Sequence, residues 1–190
     1  MLKRHAWLAA LIGIGALLSH SRAGATEFRL DPSRTVVAFE MRSLGTLQRG
    51  EFRHTAGTVV LDSEEERGEL DIVIDARSLQ ASNQATTKFV RGPSMLDTAT
   101  HPEIAYRAQR IVFSQGKPAR IEGDLTLLGV TRAVPLQVSS YDCDDSSESG
   151  ERCAIVATAN MKRSAFGMTR YMLFASDDVK LAIQAEGVSR

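Results

Sequence analysis

The strongest constraint in this sequence is the repeated alternation of apolar and polar residues along short segments. In the segment 35–42, Thr35, Val37, Phe39 and Met41 fall on one side of an extended chain, and the residues between them fall on the other. Successive side chains of a β-strand point to opposite faces, so this period of two predicts a strand with one buried face. The same pattern predicts further strands over residues 59–61, 70–75, 105–113, 120–127, 133–141, 154–161 and 178–186.

The number and spacing of these segments predict a mainly β domain. About eight strands are separated for the most part by short turns, such as the segment 114–118. Only residues 82–96 break the alternation, and there we expect Asn83 to cap a short helix that ends at Gly92 and Pro93. Many antiparallel strands with one helical insertion are typical of an up-and-down barrel or a sandwich. Edge strands marked by lysine or proline are scarce, which favours the barrel.

The N-terminus has the three parts of a secretory signal peptide. Residues 3–5 are basic, residues 7–18 are apolar, and residues 23–25 are small. This order predicts export and cleavage after Ala25, and therefore a periplasmic location. The alternative is an uncleaved membrane anchor, but the apolar run falls short of the roughly 20 residues that a membrane span needs.

Removal of the signal peptide, residues 1–25, leaves a single predicted domain over residues 26–190. The removed segment holds three of the 23 basic residues and none of the 23 acidic ones, so the net charge becomes −3. This charge disfavours nucleic acid as a partner, because phosphate binding requires clustered cations. A chain of about 165 residues suits one domain with a sizeable core.

Cys143 and Cys153 are the only cysteines, and they flank a polar, acidic stretch between two predicted strands. An even pair of cysteines in an exported chain predicts a disulfide, which here joins the two stems of a long hairpin. The alternative is a redox or metal-binding pair. Ten residues of separation and the lack of a nearby histidine make the pair a poor thiolate site.

Six short motifs, in order along the chain, resemble those of the YceI-like family. Two are the most informative: Gly-Asp-Leu-Thr-Leu-Leu-Gly-Val-Thr-Arg at residues 123–132, and Arg-Ser-Ala-Phe-Gly-Met at residues 163–168. The other four lie at residues 50–57, 74–79, 101–106 and 176–181. Together they cover nearly the whole predicted mature chain, and on them the chain is identified as a member of this family.

The resemblance implies a secreted, lipocalin-like barrel that holds a long apolar molecule, such as a polyisoprenoid or a quinone-like lipid. Such a protein sequesters or carries its ligand, is not an enzyme, and needs no metal or other cofactor. The alternative function is a protein-interaction or stress-response module whose barrel is filled by side chains. Transient contact with a membrane or a membrane protein, and pairing of two chains as a homodimer, are left open.

Eight apolar side chains are candidates to line a lipid tunnel, and three arginines are candidates to meet a polar head at its mouth. The alternative for the apolar residues is a solid core, since many small barrels are filled by side chains. The apolar candidates are Phe39, Met41, Phe52, Phe89, Leu96, Phe166, Met168 and Phe174. The arginines are Arg34, Arg91 and Arg163, for which exposed solubilising charge is the alternative.

The chain departs from the family near the place where we expect a head group to be held. Residues 31–35 are Asp-Pro-Ser-Arg-Thr, where the family commonly has Asp-x-x-His-Ser. Residues 94–97 are Ser-Met-Leu-Asp in place of a turn with Asp-Phe-Phe. The resemblance therefore supports a lipid-like ligand more strongly than any particular head group.

No catalytic pattern accompanies the predicted strands. His54 and His101 lie far apart in the sequence, and together with bridged cysteines they do not supply the ligands of a zinc site. Asp71 and Asp75 share a strand face, but the alternation places that face in solvent. Neither a nucleophile elbow nor a phosphate-binding glycine loop occurs in the sequence.

Overall fold

Strands make up most of the structure, a computed structural model that describes residues 24–144 and 150–189. In chain order the strands are β1 (Thr26–Leu30), β2 (Val36–Ser43), β3 (Thr46–Phe52), β4 (Thr55–Asp62), β5 (Arg67–Asp75), β6 (Gln80–Ala81), β7 (Glu103–Ser114), β8 (Lys117–Leu127), β9 (Val130–Ala133), β10 (Leu136–Asp144), β11 (Arg152–Lys162) and β12 (Ala175–Ser189). The described helices are α1 (Gln84–Arg91) and two short 3-10 helices, Ala76–Ser78 and Arg163–Phe166. Residues 1–23 of the predicted signal peptide lie outside the described residues, so its cleavage stays a prediction.

The sheet closes into an antiparallel barrel because β12 pairs along both of its edges. One edge pairs with β11 over the whole length of that strand. The other edge pairs first with β2 and then with β1. β1 and β2 thus form one bent strand of the barrel, and β3 and β4, which pair with them, form a second. Together with β5, β7, β8, β10, β11 and β12, they give the eight-stranded barrel that the sequence predicts.

Most of the predicted strands are confirmed, and the differences have local causes. The strand predicted over residues 133–141 is β10, which begins later, at Leu136, and only Ala133 of the predicted segment belongs to β9. Pro135 separates the two strands, because it has no N–H to donate to a neighbouring strand. The turn between β8 and β9 consists of Leu128 and Gly129. Their φ angles are 52° and 74°, and a two-residue hairpin turn whose twist matches its strands requires positive φ at both positions.

Three strands, β1, β3 and β6, were not predicted from the alternation. The residues of β3 show why. Gln48, Gly50 and Phe52 lie at the inward positions of β3, so only one of the three is large and apolar. The ring of Phe39 on β2 lies across Gly50, and a Cβ at Gly50 would stand 2.6 Å from that ring. An aromatic ring from the neighbouring strand therefore fills the place of the missing side chain.

The helical insertion between β5 and β7 crosses one end of the barrel. α1 begins after Asn83, whose side chain accepts a hydrogen bond from the Thr86 N–H at 2.9 Å, and it ends at Gly92, as predicted. Leu79 before the helix and Leu96 after it are buried in the barrel core. Among the residues that the structure describes, no helix has both the length and the apolar character needed to cross a membrane.

The two ends of the barrel differ in their surface chemistry. The polar end carries the β4–β5 turn, the β7–β8 turn and the β10–β11 hairpin, and the exposed Glu64, Glu65 and Glu66 lie in the first of these turns. The apolar end carries the β2–β3 turn, the helical insertion and the segment 163–174. Leu173 in that segment is 92% exposed. We use these two names below.

The predicted disulfide is present at the polar end. Cys143 and Cys153 lie directly opposite each other across the β10–β11 pair, with Cα atoms 4.0 Å apart, and their sulfur atoms are bonded. Glu151 lies close enough to complete a three-residue metal-binding group, but sulfur atoms joined in a disulfide are not thiolate ligands. The disulfide therefore cross-links the two strands of the hairpin.

Loss of this disulfide is expected to lower the stability of the barrel. Replacement of both Cys143 and Cys153 by serine should reduce the free energy of unfolding by about 2–3 kcal/mol, because the bridge restricts a short loop of the unfolded chain. Chemical denaturation of the oxidised protein and of the double variant measures the difference. Alkylation without prior reduction should label neither cysteine, and ready labelling of both would contradict the bridge.

Tyr106 on β7 packs against β8 at Gly123, the first residue of the motif at 123–132. A Cβ at Gly123 would lie 2.6 Å from the Tyr106 ring, so only glycine lets the ring lie this close to the strand. The phenol donates a hydrogen bond to the Val134 carbonyl at 2.9 Å. Burial, and to a lesser degree the nearby Asp124 carboxylate, raise the pKa of Tyr106 above its ordinary value of 10.0.

This raised pKa predicts a loss of stability in alkali. The unfolded phenol ionises near pH 10 and the folded one at higher pH, so its contribution is complete below pH 10 and declines as the pH rises further. Denaturation curves from about pH 8 to about pH 11 should show a steeper decline for the wild type than for Tyr106→Phe. Equal slopes for the two proteins would refute the assignment to Tyr106.

Candidate ligand-binding site

The inward faces of the strands enclose a cavity of about 220 Å³ along the barrel interior. Alternate residues of β2 and β12 contribute much of its wall, since side chains two positions apart on a strand share a face. Ala157 on β11 also borders the cavity, and its small side chain leaves room there. The wall residues contributed by β2, β11 and β12 are Val37, Phe39, Met41, Cys153, Ala154, Ile155, Ala157, Met161, Val179, Leu181, Ile183, Ala185 and Gly187.

Five of the predicted apolar residues line this cavity. Phe39 and Phe52 come from the adjacent strands β2 and β3, and their ring centroids lie 6.2 Å apart. Met41 lies on the same wall, nearer the apolar end. Leu96 from the helical insertion and Met168 from the segment after β11 border the cavity at the apolar end. The structure thus brings residues together from four separate parts of the chain.

The other three apolar candidates lie elsewhere, because strand alternation does not apply where they occur. Phe166 lies in the 3-10 helix Arg163–Phe166 and is 1% exposed, but it packs in the core beside the cavity and does not line it. Phe89 faces outward from α1, is 46% exposed and contacts Tyr171 with ring centroids 5.4 Å apart. Phe174 is 58% exposed. The next residue of α1, Val90, lines the cavity in place of Phe89.

Arg163 borders the cavity at the apolar end of the barrel and is buried with 1% exposure, so it is not an exposed solubilising charge. Its Nη1 donates to the carbonyls of Met168 at 2.6 Å and Arg170 at 2.7 Å, and its Nε donates to the carbonyl of Ser176 at 2.9 Å. Nη2 donates to the carbonyl of Ala175 at 3.3 Å. The guanidinium therefore holds the segment between β11 and β12 against the end of the barrel.

Ser164 fixes the same segment from its other side. Its backbone N–H and its hydroxyl both donate to the Asp177 carboxylate, each at 2.8 Å. The backbone hydrogen bond first, and then the hydroxyl, hold the pKa of Asp177 below its ordinary value. Gly167 follows with φ of 86°, a left-handed conformation that favours glycine. The motif at residues 163–168 is thus a scaffold for the apolar end.

The other two arginines do not line the cavity. Arg91 is half-buried, and its Nε donates to the Leu79 carbonyl at 3.0 Å, which ties α1 to the chain before it. Arg34 has a side chain that is 62% exposed and pairs with Glu186 at 3.2 Å on the outside of the barrel. Asp71 pairs with Arg107, also outside. These charged side chains serve the scaffold or the surface.

The polar groups that border the cavity are few, and most of them are already bonded. Tyr106 donates to a carbonyl, as described above, and the Tyr141 hydroxyl lies 3.5 Å from the Cys153 sulfur. Burial, followed by the Glu151 charge, raises the pKa of Tyr141, so its phenol is neutral like that of Tyr106. The cavity is therefore suited to hold an apolar molecule.

Thr35 and Thr55 are two polar residues of the cavity wall that sequence reasoning did not propose as binding residues. Each is 2% exposed and lines the cavity. Neither hydroxyl has a hydrogen-bond partner among the described residues. The available signal was the position of Thr35, a hydroxyl on the inward side of a strand whose other inward residues are Val37, Phe39 and Met41.

Comparison with known proteins supports the same fold over the whole barrel. The chain is 27% identical over 185 residues to a UPF0312 protein of Pectobacterium atrosepticum, covering 95% of this chain and 96% of that protein. It is also 27% identical over 178 residues to Protein YceI of Salmonella arizonae, covering 92% of this chain and 93% of that protein.

Two solved structures share the architecture at lower sequence identity. BcnA of Burkholderia cenocepacia has a TM-score of 0.68 at 19% identity, covering 83% of this chain and 98% of that one. A domain from Saccharophagus degradans, described as polyisoprenoid binding and implicated in plant cell wall breakdown, has a TM-score of 0.62 at 14% identity. The match covers 86% of this chain and 98% of that domain.

The family model of the YceI-like domain matches residues 28–187, which run from the first strand of the barrel to the last. This is the family that the six sequence motifs indicated. The chain belongs to the YceI-like family.

Proposed function

We propose that this protein is a periplasmic carrier that holds an elongated apolar lipid, such as a polyisoprenoid or an isoprenoid quinone, inside its barrel. The observation that carries the proposal is the apolar cavity along the barrel interior. A module with a barrel filled by side chains, the alternative from sequence, would have no such space. Carriage of a lipid requires no covalent step, and we propose none.

Burial of the lipid tail supplies the affinity in this proposal. Each buried CH₂ group contributes about 0.8 kcal/mol, so a tail of several isoprene units binds tightly without any charged contact. The aromatic and thioether side chains at the wall, among them Phe39, Met41 and Met168, suit a branched and irregular hydrocarbon. The Saccharophagus degradans domain of the same fold, described as polyisoprenoid binding, supports this ligand class.

The periplasmic location rests on the predicted signal peptide, and the disulfide supports it. A bridge between Cys143 and Cys153 is typical of a protein that folds in an oxidising compartment. β1 begins at Thr26, so cleavage after Ala25 would leave the barrel whole. Both observations agree with export before folding.

The export proposal predicts a mature N-terminus at Thr26. Intact-mass measurement of the protein from the periplasmic fraction of its own host checks this, because the loss of residues 1–25 fixes the expected mass. A control in which Ala23 and Ala25 are both replaced by leucine should accumulate uncleaved, since small residues are needed at the cleavage site. Retention of residues 1–25 on the wild-type protein in the membrane fraction would overturn the proposal.

The carrier proposal predicts that the cavity can be blocked by one side chain. Ala157→Phe places a ring in the cavity, so the protein purified from its own host should lose its co-purifying apolar ligand. Native mass spectrometry followed by organic extraction measures the ligand. The matched control is Ala182→Phe on the exposed face of β12, which should keep the ligand.

A second blocking variant keeps the test valid if Ala157→Phe does not fold. Ile183→Phe, opposite Ala157 across the β11–β12 pair, fills the same part of the cavity from the other strand. Thermal melting identifies which variants are folded. Wild-type protein that carries no apolar ligand, or folded blocking variants that carry as much as the wild type, would refute the carrier proposal.

A further inference from the structure

The two hydroxyls of Thr35 and Thr55 mark a polar point in an otherwise apolar wall. They are the only buried side-chain polar atoms without a hydrogen-bond partner in the part of the chain that the structure describes. Both residues line the cavity and are 2% exposed. A buried hydroxyl that lacks a partner costs free energy, so a group that accepts hydrogen bonds from both would be favoured at this point.

The register of the strands brings the two threonines to the same level of the barrel. Thr35 lies directly before β2, and Thr55 opens β4 shortly after β3 ends at Phe52. Val37 lies opposite Phe52 across the β2–β3 pair. Thr35 therefore lies at the bend between β1 and β2, and Thr55 at the bend between β3 and β4. The two residues lie on adjoining walls of the barrel and both line the cavity.

Two arginines that could supply a countercharge to a ligand here are engaged elsewhere. The guanidinium of Arg163 is engaged by backbone carbonyls, and Arg34, next to Thr35, pairs with Glu186 outside the barrel. An anionic group beside the threonines would thus lose its hydration without gaining a countercharge. A neutral oxygen would accept the two hydroxyl donors without this cost.

We propose that Thr35 and Thr55 form a head-group site that donates hydrogen bonds to a neutral oxygen, such as a carbonyl or an ether, of the bound lipid. The inference rests on the proposed carrier function and adds the chemical class of the ligand's head. It places the head inside the barrel, with the tail extending along the apolar wall. Lipids with an oxygen at this level are preferred over hydrocarbons of the same length.

The test compares ligands that share an isoprenoid tail and differ in the head. The probes are a ubiquinone, which has neutral carbonyls, squalene, which has no oxygen, and a prenyl phosphate, which is anionic. Equilibrium binding of labelled probes is measured for the wild type and for Thr35→Val, Thr55→Val and the double variant. Thr58→Val, on the outer face of β4, is the matched control.

The double variant should bind ubiquinone roughly tenfold more weakly, since two hydrogen bonds are lost and valine keeps the side-chain shape. Its affinity for squalene should stay the same or rise, and the wild type should prefer ubiquinone to the prenyl phosphate. If the variants bind ubiquinone and squalene as the wild type does, the hydroxyls serve bound water and the head-group site is refuted. A wild type that binds no probe refutes the carrier function itself.

A separate observation concerns the outer surface of the apolar end. Seven large apolar side chains there are exposed, and two contacts join the segments that carry them. The Leu44 N–H donates to the Phe174 carbonyl at 2.8 Å, and the Phe89 ring contacts Tyr171. We call this surface the apolar patch; its residues are Leu44, Leu47, Phe89, Tyr171, Met172, Leu173 and Phe174.

Three cations adjoin the apolar patch. Arg42 lies opposite Leu47 across the β2–β3 pair, Lys88 precedes Phe89, and Arg170 precedes Tyr171. Within residues 24–144 and 150–189, none of Arg42, Lys88 and Arg170 forms an ion pair. Exposed apolar side chains beside unpaired cations are complementary to an anionic membrane surface.

We propose that the apolar patch docks the protein on an anionic lipid bilayer, with the polar end directed away from it. Glu64, Glu65 and Glu66 at the polar end would be repelled by the same surface, which sets the orientation. Val90 and Met168, which line the cavity, lie in the same segments as the patch. Docking would therefore bring the apolar end of the cavity to the lipid.

Vesicle flotation tests the docking without reference to the carried ligand. Wild-type protein should float with vesicles of phosphatidylcholine and phosphatidylglycerol, and less with phosphatidylcholine alone or at high salt. Leu173→Ser with Phe174→Ser should reduce binding about tenfold or more, because two large apolar side chains no longer enter the bilayer. Val156→Ser, an exposed apolar position on β11, is the control and should bind as the wild type does.

Two results would overturn the docking proposal. One is the absence of wild-type binding to anionic vesicles, which leaves a protein partner as the occupant of the patch. The other is equal binding by the wild type and the Leu173, Phe174 double variant. Circular dichroism shows whether that variant is folded. A second variant, Arg170→Glu, should bind anionic vesicles more weakly than the wild type does, because it replaces a cation beside the apolar patch with an anion.

Discussion

The pairing of β12 along both edges holds the barrel closed, and the interior depends on this closure. β12 has 15 residues, enough to span the end of β1, the bend, and nearly all of β2 on one side. An open sheet would leave two unpaired edges and would need a second layer to cover its apolar face. In the closed form, the inward side chains of opposite strands face one another, and the number of strands sets the space between them.

The buried cation Arg163 organises the apolar end of this barrel without a carboxylate in direct contact. Its donors meet four backbone carbonyls of the segment that leads into β12. A backbone carbonyl held away from water without a hydrogen-bond partner costs free energy, and Arg163 provides a partner for each of these four. The chain before β12 is therefore fixed in place, and the strand that closes the barrel starts from a defined point.

The sequence was informative wherever the local pattern decides the structure. Alternation predicted the strands, and Asn83 and Gly92 predicted the limits of α1. The same rule placed Phe39 and Met41 on the cavity wall. These predictions succeed because a strand or a helix cap depends on residues close in the chain.

Prediction failed where contacts between distant segments decide the outcome. Phe166 and Arg163 belong to a short turn, and only the packing of that turn against the barrel shows that both are buried. The motif at residues 163–168 is thus largely a folding device, although Arg163 and Met168 both border the cavity. The roles of Thr35 and Thr55 also depend on the register between β2, β3 and β4, which the sequence does not state.

Gly50, a buried residue of β3, affects the shape of the barrel interior. It does not line the cavity, yet its lack of a side chain lets the Phe39 ring lie flat against β3. Any larger residue at position 50 would tilt that ring into the space that a ligand occupies. The width of the barrel interior can therefore be changed through a single residue that does not itself line the cavity.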